Sequence, residues 1–144
     1  MLWVEVAHRI EASAERVWEL VGDFAGDVLT RGYVAKVETR GRGVGALRTY
    51  HLDPAIGAGS VVERLIELDE VERVIAYDMV DYGPLPWADY GGRIKVAPAG
   101  PQACVVTLRT HFFPLNSEQG EELSRLSRGN IETYFSNLRA ALRL

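Results

Sequence analysis

Arg48 and Tyr50 lie two residues apart in the run Ala46-Leu47-Arg48-Thr49-Tyr50-His51-Leu52, whose alternation puts Ala46, Arg48, Tyr50 and Leu52 on one face of a strand. The last strand-like run alternates too, with Val106, Leu108, Thr110 and Phe112 on one face and Thr107, Arg109 and His111 on the other. The more apolar face of a half-buried sheet turns to the core, so Arg48 and Tyr50 are unusual among inward residues. An inward charge must be paired or hydrated. Glu63, on the neighbouring run Ser60–Asp69, is the natural partner. Such a pair either binds a ligand carboxylate, carbonyl or phenol, or serves as a structural ion pair between two strands. Periodicity does not choose the inward face of that run: Val62, Ile66 and Leu68 go with Arg64, whereas Val61 and Leu65 go with Glu63 and Glu67.

For proton transfer the candidates are Glu63, His8 and Asp81, with Arg48 beside Glu63 and with Tyr50, Tyr77 and Tyr90 as hydrogen-bond donors. His8 alternates with Val4, Val6 and Ile10, where a histidine is more often a satisfied core residue. His51 and His111 fall on the other face. Three scattered histidines, one cysteine and no His-Glu-x-x-His spacing give no reason to expect a metal, and no other cofactor is expected. No glycine-rich phosphate loop opens a helix, and no serine sits in a nucleophile elbow. Cys104 stands in an apolar alternating run and reads as a buried strand residue; being alone, it can form no disulfide within the chain.

These residues are positioned by strands and one long helix. Asn116 to Leu144 reads as a single amphipathic helix, with Leu123, Leu126, Ile131, Tyr134, Phe135, Leu138 and Leu142 forming the apolar stripe. Asn116 with Gln119 fits a capping box, acidic residues occupy the first turn, and Arg139 and Arg143 occupy the last. Asn130, Thr133 and Asn137 edge the stripe, where a helix closing a cavity would carry small polar groups. The chain opens with a strand over Leu2–Glu11, followed by a short helix capped by Ser13 and running through Phe24, then a second brief helical turn over Asp27–Arg31. Six more strands follow: Tyr33–Arg40, Ala46–Leu52, Ser60–Asp69, Val74–Tyr82, Tyr90–Ala97 and Ala103–Phe113. Short turn sequences predict an antiparallel meander. The longer connections 53–59 and 83–87 carry Ile56, Leu85 and Trp87, apolar side chains that a solvated loop does not need. The whole predicts one α+β domain over residues 1–144, a curved seven-stranded antiparallel sheet wrapped around the terminal helix.

With 144 residues the chain can bury a core without disulfides or metals. A hydrophobic fraction of 47% argues against disorder, and a net charge of -4 without a basic cluster argues against a nucleic-acid partner. The first residues lack a basic segment followed by an apolar one, and no apolar run approaches the roughly 20 residues needed to span a bilayer. A soluble, cytoplasmic protein is expected.

Three local motifs, in this order and spacing, carry a resemblance: Arg9-Ile10-Glu11-Ala12-Ser13-Ala14-Glu15-Arg16-Val17-Trp18, then Gly45-Ala46-Leu47-Arg48, then Val62-Glu63-Arg64-Leu65 with Asp69 after it. Together with the terminal helix they resemble the polyketide cyclase/dehydrase branch of the Bet v 1-like (START, SRPBCC or helix-grip) superfamily over essentially the whole chain. The resemblance implies a sheet gripping the C-terminal helix and an internal cavity for hydrophobic or amphipathic small molecules. It does not imply one reaction, since the superfamily includes carriers, receptors, cyclases and co-chaperones. More distantly the chain resembles the plant abscisic-acid receptors. Leu52-Asp53-Pro54-Ala55 falls at their gate and Gly83-Pro84-Leu85-Pro86 at their latch, whose His-Arg-Leu is absent here, so a hormone-gated phosphatase contact is not implied. The resemblance places Arg48, Tyr50, Leu52, Val61, Glu63, Tyr77, Tyr90 and Asn137 in the pocket, choosing Glu63 where periodicity does not. Asn130 and Tyr134 of the helix complete the expected ligand-binding set.

Three functions fit. One is a carrier or sensor for a hydrophobic small molecule; another is a cyclase/dehydrase-like enzyme using Arg48, Glu63 and a tyrosine; the third is an interaction module working through Ile56, Leu85 or Trp87 with a vestigial cavity. An exposed Trp87 would permit a homodimer, and a monomer is equally compatible with the sequence.

Overall fold

A computed structural model of the chain describes residues 1–55 and 58–144. In chain order the elements are β1 (Leu2–Ile10), α1 (Ala14–Val21), β2 (Val34–Arg40), β3 (Leu47–Leu52), β4 (Ser60–Asp69), β5 (Val74–Asp81), β6 (Trp87–Pro98), β7 (Cys104–Pro114), a 3-10 turn (Ser117–Gln119) and α2 (Gly120–Leu142). The strands form one antiparallel sheet in the order β1-β7-β6-β5-β4-β3-β2. This is the predicted helix-grip arrangement, in which the sheet curves around α2.

Several boundaries shift for local reasons. Ser13 caps α1, its Oγ accepting from the Arg16 N–H at 3.2 Å, but the helix stops at Val21 rather than Phe24 because the Gly22 N–H turns back to the Trp18 and Leu20 carbonyls. The second helical turn expected over Asp27–Arg31 is a set of tight turns, in which the Tyr33 and Val34 N–H groups both donate to the Thr30 carbonyl. The capping box is only half formed: Asn116 Oδ1 accepts from the Glu118 N–H at 3.0 Å, while Gln119 makes no side-chain capping bond. β6 starts three residues earlier than expected, at Trp87, with a bulge between Ala88 and Gly91 where Asp89 takes φ 49°.

The apolar stripe of α2 buries Leu123, Ile131, Tyr134, Phe135, Leu138 and Leu142 against the concave face of the sheet, while Leu126 lies at its margin. Phe135 and Leu138 have no exposed surface, and each such burial stabilises the fold by about 1.5–3 kcal/mol. From the sheet, Val4, Ile10, Leu65, Val96, Val106 and Phe112 point into the same core. Packing of α2 is closest at β1, so the helix fills one end of the sheet's curve more than the other. The unfilled end, over β3 to β6, is where the cavity lies.

Candidate functional site

Register sets the polar centre of this cavity. β3 and β4 pair so that Arg48 is opposite Glu63 and Tyr50 opposite Val61, and all four side chains turn inward. Glu63 in turn lies opposite Met79 on β5, and Leu65 opposite Tyr77. The face of β4 carrying Val61, Glu63 and Leu65 is the buried one; Ile66 of the other face is 46% exposed.

Arg48 and Glu63 are 7% and 3% exposed. Arg48 Nε donates to Glu63 Oε1 at 2.8 Å, Nη2 approaches the same oxygen at 2.8 Å, and Nη1 donates to the Phe24 carbonyl at 3.3 Å. The guanidinium also lies over three aromatic rings, at 4.3 Å from the Phe24 centroid and 4.6 Å from those of Tyr50 and Tyr77. Burial alone would lower the Arg48 pKa, but Tyr50, Glu63 and Tyr77 outweigh it and hold the group charged. Burial pushes the Glu63 carboxyl above the usual carboxylate range, with Arg48 offsetting only part of the shift. Glu63 Oε2 has no hydrogen-bond partner among the described residues.

A cavity of about 140 Å³ adjoins this pair. Tyr33, Tyr50, Tyr77, Tyr90 and Tyr134 all line it. Burial raises the pKa of each of these phenols, so all are neutral at physiological pH. Gly92 on β6 leaves room for one of them: a Cβ there would meet Tyr77 Cζ and Oη at 2.5 Å. The mouth is bordered by the connections after β3 and β5, which touch, since a Cβ on Gly59 would meet Pro84 Cδ at 3.1 Å.

The cavity brings together most of the sequence-predicted set: Arg48, Tyr50, Leu52, Val61, Glu63, Tyr77, Tyr90, Asn130 and Tyr134 line it. Asn137 lies elsewhere, its Nδ2 donating to the Leu29 and Arg31 carbonyls at 2.9 Å each and tying α2 to the turns after α1. His8 is inward but meets α2 instead of the cavity; it stacks on Phe135 at 4.1 Å between Arg139 at Nδ1 and Glu132 at Nε2. Asp81 is exposed and accepts from the Gly83 N–H at 3.0 Å, bracing a turn. The side chains invoked for an interaction module turn inward: Trp87 is 5% exposed, stacked on Tyr90 at 5.1 Å and tilted against Phe112 at 4.9 Å, and Leu85 is half-buried against the core. Ile56 lies outside the described residues.

Other lining residues escaped the sequence. Thr110 of β7 and Ser127 of α2 are buried and share a 3.0 Å hydrogen bond across the cavity wall. Their signal was present: Thr110 alternates with Val106, Leu108 and Phe112, and Ser127 falls midway between Leu123 and Ile131 at four-residue spacing. Thr30 and Tyr33 belong to irregular turns and carried none. Among the described residues no cluster of His, Cys, Asp and Glu could hold a metal, and no helix is long and apolar enough to cross a membrane.

A curved sheet gripping a helix around a mostly apolar cavity with a charged pair in its wall defines a helix-grip fold. The chain belongs to the polyketide cyclase/dehydrase and lipid transport family, whose model matches residues 1–143. No curated protein matches it. Among solved structures it is similar to the protein XoxI from Bacillus cereus (22% identity, TM-score 0.85, covering 98% of this chain and 95% of that one). It is also similar to the Zhui aromatase/cyclase from Streptomyces sp. R1128 (21%, 0.84, 97% and 92%). A third similar structure is norcoclaurine synthase from Thalictrum flavum in complex with dopamine and hydroxybenzaldehyde (20%, 0.79, 98% and 86%). At these identities the likeness is one of fold.

Proposed function

We propose that the protein binds a hydrophobic or amphipathic small molecule between the sheet and α2, as a carrier or sensor. The observation that carries this reading is the cavity itself: about 140 Å³, walled by Val34, Val61, Met79, Leu108 and Ile131, with polar groups at a few points. Cavities near 150 Å³ accommodate a benzene ring. As it stands, the cavity therefore suits a single substituted ring or a short chain, and a larger ligand would need the loops at the mouth to part.

A second reading has its own support. Glu63 combines a raised pKa with an unpaired Oε2 and lies near Tyr77 and Arg48, the ingredients for moving a proton next to a polarised carbonyl. A cyclase/dehydrase-like reaction on an aromatic or polyketide-like substrate would use them. The name of the Zhui aromatase/cyclase lends that reading weight by similarity alone. A cytoplasmic setting accords with the lone buried thiol of Cys104.

Native mass spectrometry of the purified protein, with a thermal-shift screen of fatty acids, phenols and sterols, tests the first reading. Co-purification of a compound, or stabilisation that grows as RT ln(1 + [L]/Kd), supports it; no bound compound and no shift in any class removes it. If a bound compound is turned over, Glu63→Gln separates the readings: an enzyme loses turnover while binding survives.

A further inference from the structure

We propose that the ligand is a neutral single-ring compound with a carbonyl that accepts from the Trp87 indole N–H and, across the ring, a hydroxyl that hydrogen-bonds with Glu63 Oε2. The inference rests on the binding reading above and names the chemistry that the cavity selects. Trp87 lines the cavity and is 5% exposed, yet its Nε1–H has no acceptor among the described residues. Buried donors without partners are rare in folded proteins, and an indole N–H can only donate. The stacking on Tyr90 and the tilt against Phe112 fix the ring, so the N–H cannot swing away to find an acceptor. The group that completes the site must therefore bring an acceptor of its own.

Glu63 poses the opposite requirement. Both Arg48 contacts to Glu63 fall on Oε1, which leaves Oε2 as an acceptor without a donor among the described residues. Ionised, that oxygen accepts from a ligand hydroxyl; protonated, it donates to the same hydroxyl, which can play either part. β5 alone separates Glu63 on β4 from Trp87 on β6. Two interstrand spacings are about 10 Å, and Glu63 is level with Met79 and Tyr90 while Trp87 lies three residues before Tyr90 on β6, so a ring with a hydrogen-bonding group at each end crosses the cavity obliquely. The about 140 Å³ of space sets the same size. A cationic ligand is disfavoured, because the aromatic faces of Phe24, Tyr50 and Tyr77 are already taken by the Arg48 guanidinium.

Four probes of similar size test this on the wild-type protein by titration: ethylbenzene, 4-ethylphenol, acetophenone and 4-hydroxyacetophenone. The last should bind tightest, and each polar group should add about tenfold in affinity, the scale of one hydrogen bond. The three tryptophan indole N–H signals in a nitrogen-15 correlation spectrum give a direct reading, with Trp87 assigned by its loss in Trp87→Phe. Acetophenone should move the Trp87 signal downfield and ethylbenzene should not. In Trp87→Phe the preference for acetophenone over ethylbenzene should vanish while 4-ethylphenol binds as before. If ethylbenzene binds as tightly as 4-hydroxyacetophenone, or the Trp87 signal answers alike to both ketone and hydrocarbon, the inference is overturned while the cavity remains a binding site. If none of the four binds, this inference is overturned, and the binding reading is decided by the fatty-acid and sterol arms of the thermal-shift screen.

Discussion

Both contacts from the Arg48 guanidinium to Glu63 end on one carboxylate oxygen, Oε1, at 2.8 Å from Nε and 2.8 Å from Nη2. A pair used only to join two strands would gain more from a fork, with each nitrogen on its own oxygen. The one-oxygen geometry holds Arg48 in place while keeping half of the carboxylate available.

Removing one member should be costly and removing both should not. Arg48→Met alone strands a buried carboxylate and should destabilise by about 3–5 kcal/mol, whereas Arg48→Met with Glu63→Leu should return to within about 1–2 kcal/mol of wild type. Urea unfolding of the full double-mutant cycle measures this. A double variant as unstable as the single one would mean that the aromatic cage around Arg48, more than its ion pair, holds β3 to β4.

The pH dependence has a definite sign. Burial raises the Glu63 pKa above its unfolded value near 4.5, so the folded chain keeps a proton that the unfolded chain has lost once pH exceeds that value. The stability this group contributes is complete below about pH 4.5 and declines as pH rises through the folded pKa. Measured from about pH 4 to about pH 8, the unfolding free energy of wild type minus that of Glu63→Gln should therefore fall. A difference that rises with pH would show Arg48 prevailing over desolvation.

Ser127→Ala leaves the Thr110 hydroxyl buried without its partner and should cost about 1–3 kcal/mol; adding Thr110→Val should recover part of it. Differential scanning calorimetry of the three proteins checks this, with a shift of roughly 2–4 °C for each kcal/mol expected at this chain length. An unchanged midpoint in Ser127→Ala would mean that water replaces the lost partner.

How much of this could be read in advance depended on whether one residue had one set of neighbours to satisfy. Arg48 was legible because its strand alternates cleanly. Glu63 was not legible by period, because apolar Val62 and Ile66 ride the outer face of β4, and a bulge between Leu65 and Glu67 breaks the register with β5 and turns Leu68, opposite Ile75, back to the core. Trp87 follows Pro84-Leu85-Pro86, so its chemistry reads as loop, whereas the first pairing of β6, with Pro114 of β7, makes it a core residue. Asn137 was expected in the pocket and His8 was read as a core residue or a proton-transfer candidate; only the docking of α2 decides that the Leu29 and Arg31 carbonyls take the Asn137 amide and that Glu132 and Arg139 meet His8.

Asn137→Ala removes both bonds to the turns after α1. Amide exchange at Tyr33 and Val34, whose N–H groups rest on the Thr30 carbonyl, should accelerate while exchange in β6 and β7 stays unchanged. Equal acceleration throughout would indicate global destabilisation instead of local release of the cavity wall.

Gly92→Ala should push the Tyr77 ring into the cavity, since the new methyl group would meet its Cζ and Oη. Loss of binding of every probe, with the fold retained by circular dichroism, is the expected result. Undiminished affinity would mean that Tyr77 can rotate without entering the space the ligand uses.

The pairing of Leu2 with Phe112 and the burial of Phe135 beneath the sheet mean that the first strand made is among the last to find its place. On the ribosome, β1 must wait for more than a hundred residues before its partner exists, and the concave face of the sheet stays wet until α2 follows. Contacts so distant in sequence make folding slow and expose apolar strands on the way. A small ring compound present during synthesis could thus act on yield as well as occupancy, by favouring the one late step in which the helix closes over it.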